Sequence, residues 1–233
     1  MVREIRILRE LERRERRRKL WTYYPDTGPL RRELYPKHLQ FFRLGATTDE
    51  RLALAGNRVG KTEGMGGYEV ALHLTGLYPD WWEGRRFARP ISAWAAGTTA
   101  VTTRDVMQLA LLGPTDEIGT GLIPGDTIIG TRPRSGVPDA VDTVRVRHVS
   151  GGTSRLGFKS YEQGRKNFEG TKKDLLWFDE EPPFEVYQEG LMRTMSTNPT
   201  EPPGMVLCTF TPMQGMSETV MYFLPDGLPD TDQ

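Results

Sequence analysis

The sequence predicts an α/β fold: a mainly parallel sheet flanked by helices and carrying a phosphate-binding loop. Three observations predict it. First, Ala55-Gly56-Asn57-Arg58-Val59-Gly60-Lys61-Thr62 follows the apolar run Leu52 to Ala55 and opens a segment of helical spacing from Lys61 to Leu74. Strand, glycine-containing loop and helix is the context in which backbone N–H groups and a helix N-terminus cradle phosphates. Second, Leu175-Leu176-Trp177-Phe178 is four apolar residues ending in Asp179-Glu180-Glu181. A buried parallel strand delivers carboxylates in this way at its C-terminal end. Third, the apolar runs Ile91 to Gly97 and Met205 to Phe210 alternate with segments of helical spacing, the order of a βαβ sheet.

Size and composition set the bounds. A chain of 233 residues suits one α/β domain with a sizeable core. Lys plus Arg equals Asp plus Glu at 31 each, so bulk charge does not announce nucleic acid and only its local distribution can. The single cysteine, Cys208, excludes a disulfide framework and fits a reducing compartment. No apolar run reaches the roughly 18 residues of a membrane span, and the arginine-rich N-terminus lacks the apolar stretch of a signal peptide. The expectation is a soluble intracellular protein with no membrane contact.

Taken in order, residues 3–19 carry nine basic and four acidic side chains, with Ile5, Leu8 and Leu11 at helical spacing. This predicts a basic N-terminal helix, either an arm for DNA or a protein partner or a solvated, salt-bridged helix. A connector rich in Pro and Gly follows Trp21, Tyr23 and Tyr24. In Tyr35-Pro36-Lys37-His38-Leu39-Gln40-Phe41-Phe42, the Gln40 amide offers a donor and an acceptor to an adenine edge. The nucleotide expected at the loop is therefore ATP. Lys61 would reach its β- and γ-phosphates, and the Thr62 hydroxyl would ligate Mg²⁺. The loop begins with Ala55 where glycine is usual, but Gly56 follows and lets the turn form.

Ile91 to Gly97 reads as a second core strand. Thr98 and Thr99 are placed to cap a helix from about Thr102 to Leu112, with Val106, Leu109 and Ala110 inward. From Gly113 to Pro138 the chain makes an excursion of loops and short strands. Val144, Val146 and His148 alternate with Arg145 and Arg147, and Gly151-Gly152 turns the chain into a return strand ending near Tyr161. An antiparallel hairpin is expected there. Between 151 and 173, Arg155, Lys159, Arg165, Lys166, Lys172 and Lys173 face two acidic residues. With Ser160, Tyr161 and Gly164, this segment reads as a phosphate-contacting stretch for DNA or as a solvated loop.

At the acidic strand end, Asp179 would hold Mg²⁺, and Glu180 would orient or deprotonate the attacking water. The Asp-Glu pair points to ATPases that convert hydrolysis into movement. Pro182-Pro183 ends the strand, Phe184 to Met195 reads as a helix, and Thr209 and Thr211 close the strand that begins at Met205. Hydroxyls there can sense the γ-phosphate and pass its loss on.

The combination resembles the ATPase half of the large terminase subunits of tailed bacteriophages. The matching segments are 36–42, 55–62, 160–164, 175–182 and 209–212, in the expected order. The resemblance implies a RecA-like ASCE domain, with the carboxylate-bearing strand not adjacent to the loop strand. It implies packaging of double-stranded DNA into a procapsid in the host cytoplasm. The partners implied are a portal protein, a small terminase subunit and further copies in a pentameric ring. Family members often carry a loop arginine three residues before the last glycine. Asn57 holds that place and Arg58 follows, so Arg58 is the loop arginine carried forward as catalytic. Motors of this type complete the site with an arginine from the next subunit. The candidates are Arg132 and Arg134, in the Pro/Gly-rich excursion, and Arg104. The expected organisation is residues 1–34 as basic helix and connector, 35–215 as the ATPase core, and 216–233 as a linker toward an absent nuclease domain. No cutting activity is expected. Other readings of the motifs are a helicase-type translocase, which needs a second such core, and a non-catalytic nucleotide-binding assembly module.

Overall fold

The computed structural model describes residues 18–196, 198 and 201–227. The expected basic helix at 3–19 lies outside the described residues except for Arg18 and Lys19. Seven strands form one sheet: β1 (Glu50–Leu54), β2 (Ser92–Gly97), β3 (Ile128–Pro133), β4 (Val141–Arg147), β5 (Thr153–Ser160), β6 (Leu175–Asp179) and β7 (Met205–Phe210). Their order is β1-β7-β6-β2-β5-β4-β3. The first five of that order are mutually parallel; β4 pairs antiparallel with β5, the hairpin that the alternation of 141–161 predicts, and β3 extends the sheet antiparallel to β4. Strand β7 separates β1 from β6, so the carboxylate strand is not adjacent to the loop strand.

Both faces of β2, β6 and β7 are covered, which is why these three strands read as continuous apolar runs. Trp177 and Leu207 point into one core with Tyr68, Leu72 and Phe42, while Leu176, Phe178, Val206 and Cys208 point into the other with Phe168 and Tyr187. The segment before residue 35 belongs to the first core. Leu20 and Tyr24 are buried in it, so the expected boundary between connector and core does not hold for residues 18–34.

Helix α1 (Pro36–Leu44) starts with proline at its first position, where the missing N–H costs nothing. Helix α2 opens with a π-helical stretch, Lys61–Gly67, and continues as an α-helix over Tyr68–Thr75. Gly60, at φ 83°, makes the left-handed entry that a side chain would strain. A Cβ at Gly66 would lie 2.2 Å from Trp177 Nε1, so only glycine lets α2 approach the sheet this closely.

All eight residues of the α-helical part of α2 are buried, including Glu69 and His73. Arg51 on β1 answers them. Its guanidinium donates to both Glu69 oxygens, at 2.6 and 3.2 Å, and to the Phe41 carbonyl of α1. Burial alone would raise the Glu69 pKa, but the Arg51 charge and the His73 hydrogen bond win, and the carboxyl stays ionised.

Helix α3 runs through Ala100–Thr102, a π-helical stretch Thr103–Gln108, and Leu109–Leu112. Thr99 caps it as expected, accepting from the Thr102 N–H. The expected inward set is corrected: Val106 and Leu109 are 44% and 47% exposed, while Met107, Leu111 and Leu112 join Ala110 inside. A π-helical stretch has more than 3.6 residues per turn, so it rotates the apolar stripe away from the regular helical period. Helix α4 is Phe184–Thr194, and α5, Glu218–Phe223, is capped by the Ser217 hydroxyl. The expected linker therefore contains a helix that docks: Val220 is fully buried, and the Thr219 hydroxyl donates to the Pro182 carbonyl. Among the described residues no helix is long and apolar enough to cross a membrane.

Removing one partner of a buried ion pair strands the other charge, so Glu69→Ala should cost about 3–5 kcal/mol, read as a lowered urea midpoint. The double replacement Arg51→Met with Glu69→Leu should recover most of that loss.

Candidate functional site: a phosphate loop facing a buried carboxylate

The parallel strands bring their C-terminal ends to one edge of the sheet, where such folds bind ligands. Register then does the fine placement. Asp179 pairs with Thr209, and Thr209 pairs with Ala53, just before the loop. The Asp179 carboxylate accepts from Thr209 Oγ1 at 2.7 Å and from Thr62 Oγ1, which lies 3.0 Å from each oxygen. Trp177 Nε1 donates to Thr209 Oγ1 at 2.7 Å, fixing that hydroxyl from the side. Asp179 is 3% exposed. Burial pushes its pKa up to about 7, opposed by the two threonine hydroxyls and by Lys61, and assisted by the Glu180 charge.

Lys61 is folded back onto its own loop. Its ammonium donates to the Ala55 carbonyl at 2.7 Å, the Gly56 carbonyl at 2.6 Å and Thr211 Oγ1 at 2.8 Å. Burial lowers its pKa, against the pull of Glu180 and Asp179. Thr211 also lies 3.0 Å from Asn57 Oδ1. Thus Lys61, Thr62, Asp179, Thr209 and Thr211, expected from sequence to act together, do meet. Glu180 follows at the exposed rim with φ 64°. A non-glycine residue in the left-handed region costs about 1–2 kcal/mol, and such strain concentrates at functional sites.

On the base side two α1 residues have different surroundings. Gln40 is exposed on α1 and makes no hydrogen bond to the loop among the described residues. The α1 residue that reaches the loop is His38. Its Nε2 lies 3.1 Å from the Val59 carbonyl and its Nδ1 2.7 Å from the Tyr24 hydroxyl. Burial lowers the His38 pKa; in the neutral ring Nε2–H donates and Nδ1 accepts. Beside the loop, Tyr23, Tyr24, Tyr35, His38, Arg58 and Val59 line a cavity of about 340 Å³. Arg58, at φ 63°, is exposed. The sequence signal for this pocket was present in the paired tyrosines before Pro25 and the histidine two residues before Gln40.

Two further expectations change. Ser160 and Tyr161 are buried and cannot contact a DNA phosphate as side chains on a surface would. Lys173 is also mostly buried, its ammonium over the Trp94 ring and bonded to Ser92 and Thr171. Of the candidate arginines, Arg132 lies on β3 at the far edge of the sheet, Arg134 just follows that strand, and Arg104 lies on α3. Arg104 is engaged with Asp105 and the Pro138 carbonyl, and Arg134 with Ser160 and the Phe158 carbonyl. Arg132, on edge strand β3, is exposed with no hydrogen bond or ion pair among the described residues.

The donor set suits Mg²⁺. Among the described residues there is no group of three or more His, Cys, Asp or Glu side chains that could cage an ion. One hydroxyl and one carboxylate facing a phosphate cradle is how Mg²⁺ is held when waters and phosphates supply the rest.

A native pKa of about 7, above the ordinary 3.8 of aspartate, means that the folded protein keeps a proton which the unfolded chain has released. Its stabilising contribution is complete below the unfolded value and is lost as pH rises to the native value. In chelator-treated protein, stability should therefore fall between about 3.8 and about 7, and the fall should be shallower in Asp179→Asn. Thermal melts across that range check it.

Comparison with known proteins agrees with this geometry. Residues 52–230 match the family model described as terminase large subunit, T4likevirus-type, N-terminal. The large terminase subunit of Salmonella phage P22 is 36% identical over 241 residues, covering 95% of this chain and 46% of the relative. The chain thus spans less than half the length of that relative. Among solved structures, the large terminase ATPase domain of Thermus phage P74-26 superposes with a TM-score of 0.53 at 19% identity, covering 85% of this chain and 76% of that one. A variant of the same domain gives 0.52 at 19% identity, with coverages of 82% and 73%. These structural likenesses establish the RecA-like fold. The chain belongs to the terminase large-subunit family, to the N-terminal part of its T4-like-virus type.

Proposed function

We propose that this chain is the ATP-hydrolysing motor domain of a packaging enzyme that drives double-stranded viral DNA into a procapsid. The observation that carries the reading is the Thr62–Asp179–Thr209 cluster facing Lys61 and Thr211, with Glu180 at its rim. Phosphate oxygens arriving in the loop compete with Ala55 O and Gly56 O for the Lys61 ammonium. That exchange frees Thr211, whose hydroxyl lies between Lys61 and the Ala55 carbonyl. Thr209 and Thr211 are thereby placed to report the γ-phosphate to β7. Thr62 and Asp179 would hold Mg²⁺, which would supply neutralisation of charge on the phosphate oxygens. Glu180 takes a proton from the attacking water, and Arg58 sits on the loop within reach of phosphate charge. The base enters the aromatic pocket of Tyr23, Tyr35 and His38 rather than meeting Gln40.

The proposed partners are DNA, a portal protein, a small terminase subunit and other copies of the chain in a ring, in the host cytoplasm. A ring supplies what one copy lacks. Strand β3 runs in the same direction as β5, so its end lies on the same sheet edge as the phosphate loop. Yet six strand spacings of about 4.8 Å separate β1 from β3, too far for Arg132 to serve its own loop. Of the three candidates, Arg132 is favoured as the arginine acting on a neighbour, because its guanidinium is uncommitted.

Lys61→Ala should weaken ATP binding or abolish turnover, whereas Glu180→Gln should bind ATP normally and hydrolyse it at least about a hundredfold more slowly. Filter binding and phosphate release distinguish the two, and normal hydrolysis by Glu180→Gln would move the base to Glu181. For the arginine, Lys61→Ala subunits mixed with Arg132→Ala subunits should regain activity that neither has alone, since such fingers contribute about 10³–10⁵ in rate. An Arg132→Ala protein as active as the parent at assembly concentration refutes that assignment.

A further inference from the structure

We infer that Tyr161 is a positioning residue for Glu180, holding its main chain in the left-handed conformation from which the carboxylate reaches the site. This rests on the reading of Glu180 as the base.

The starting observation is the backbone itself. Glu180 has φ 64°, one of four non-glycine residues with positive φ among those described. An L-residue stays there only where its surroundings hold it. Two hydrogen bonds hold Glu180, one at each end. Its N–H donates to the Thr209 carbonyl at 3.2 Å. Its carbonyl lies 3.0 Å from the Tyr161 hydroxyl. The same hydroxyl lies 2.9 Å from the carbonyls of Asp179 and Ala96. A phenol has one hydrogen to donate, and here all its neighbours are acceptors at the ends of β2 and β6. The hydroxyl therefore ties the β6 terminus to β2 at the residue where the chain reverses hand.

The tyrosine is itself fixed. It is 7% exposed, and its ring packs against Phe178 with centroids 6.1 Å apart. The next residue anchors the turn after β5 to the start of α3: the Glu162 N–H donates to the Thr98 carbonyl, and the Ala100 N–H donates to Glu162 Oε1 at 2.7 Å. Burial keeps the phenol neutral, far above its ordinary titration range, so the donor is always present. Its place in a segment rich in Lys and Arg suggested phosphate contact. The fold instead turns it inward, against the backbone of the proposed base.

The test uses the full chain and single-turnover ATP hydrolysis at saturating ATP. Tyr161→Phe deletes only the hydroxyl and should slow hydrolysis about tenfold to a hundredfold, the rate equivalent of one buried hydrogen bond, with ATP Kd and KM unchanged. Unchanged Kd also shows that the variant is folded. Placing 4-aminophenylalanine at 161, which restores a donor at the same position, should recover most of the rate. In a Glu180→Gln background, Tyr161→Phe should add no further loss, because it acts through that residue. Three results overturn the inference: a Tyr161→Phe rate equal to the parent, no recovery with the amino analogue, or an equal additional loss in the Glu180→Gln background. If Glu180→Gln alone hydrolyses normally, the base reading itself has failed, and the positioning role falls with it. Should Tyr161→Phe not fold, the amino analogue decides alone, since it must then fold and hydrolyse like the parent; failure to do so overturns the inference.

Discussion

The site depends on one buried carboxylate shared by three segments of chain. Asp179 ends β6, and its oxygens accept from Thr209 on β7 and from Thr62 at the start of α2. Without those hydroxyls a carboxylate with 3% exposure would carry an unpaid desolvation cost. With them its pKa settles at about 7. Because β7 lies between β1 and β6, the same register that pairs Asp179 with Thr209 also places the loop beyond β1 opposite the carboxylate. Site geometry and sheet order are thus one constraint, not two.

Rigidity behind the loop comes from packing that leaves no spare room. Gly66 lets α2 press onto Trp177, and Trp177 in turn fixes the Thr209 hydroxyl. Arg51 ties α1, β1 and α2 together from below through Phe41 and Glu69. Lys61 and Glu180 lie outside this frame. Lys61 is satisfied by carbonyls of its own loop. Glu180 lies at the rim in a conformation held by bonds to β7 and to Tyr161.

Much of this was legible in the chain. The strands around 52, 94, 144, 156, 177 and 207 follow from apolar runs and alternation, and the phosphate loop with its Asp-Glu partner follows from residue order. Those features are local: a run of four to six apolar residues and a turn signal are set by neighbours in sequence. Local too is the capping of α3 by Thr99.

What the residues alone could not settle are the features that depend on which distant surfaces meet. The exposure of Val106 and Leu109 came from a π-helical stretch that shifts the phase of α3, and no propensity encodes it. The loop contact of His38 follows from how α1 rotates when Phe41 and Phe42 seek the core. Tyr161 looked like a surface hydroxyl because its neighbours are basic, yet three strand-end carbonyls claim it. The sequence by itself determined the strands, the phosphate loop and the chemistry its side chains can perform. The tertiary structure decided which faces turn inward, because burial and hydrogen-bond satisfaction are settled between segments far apart in the chain.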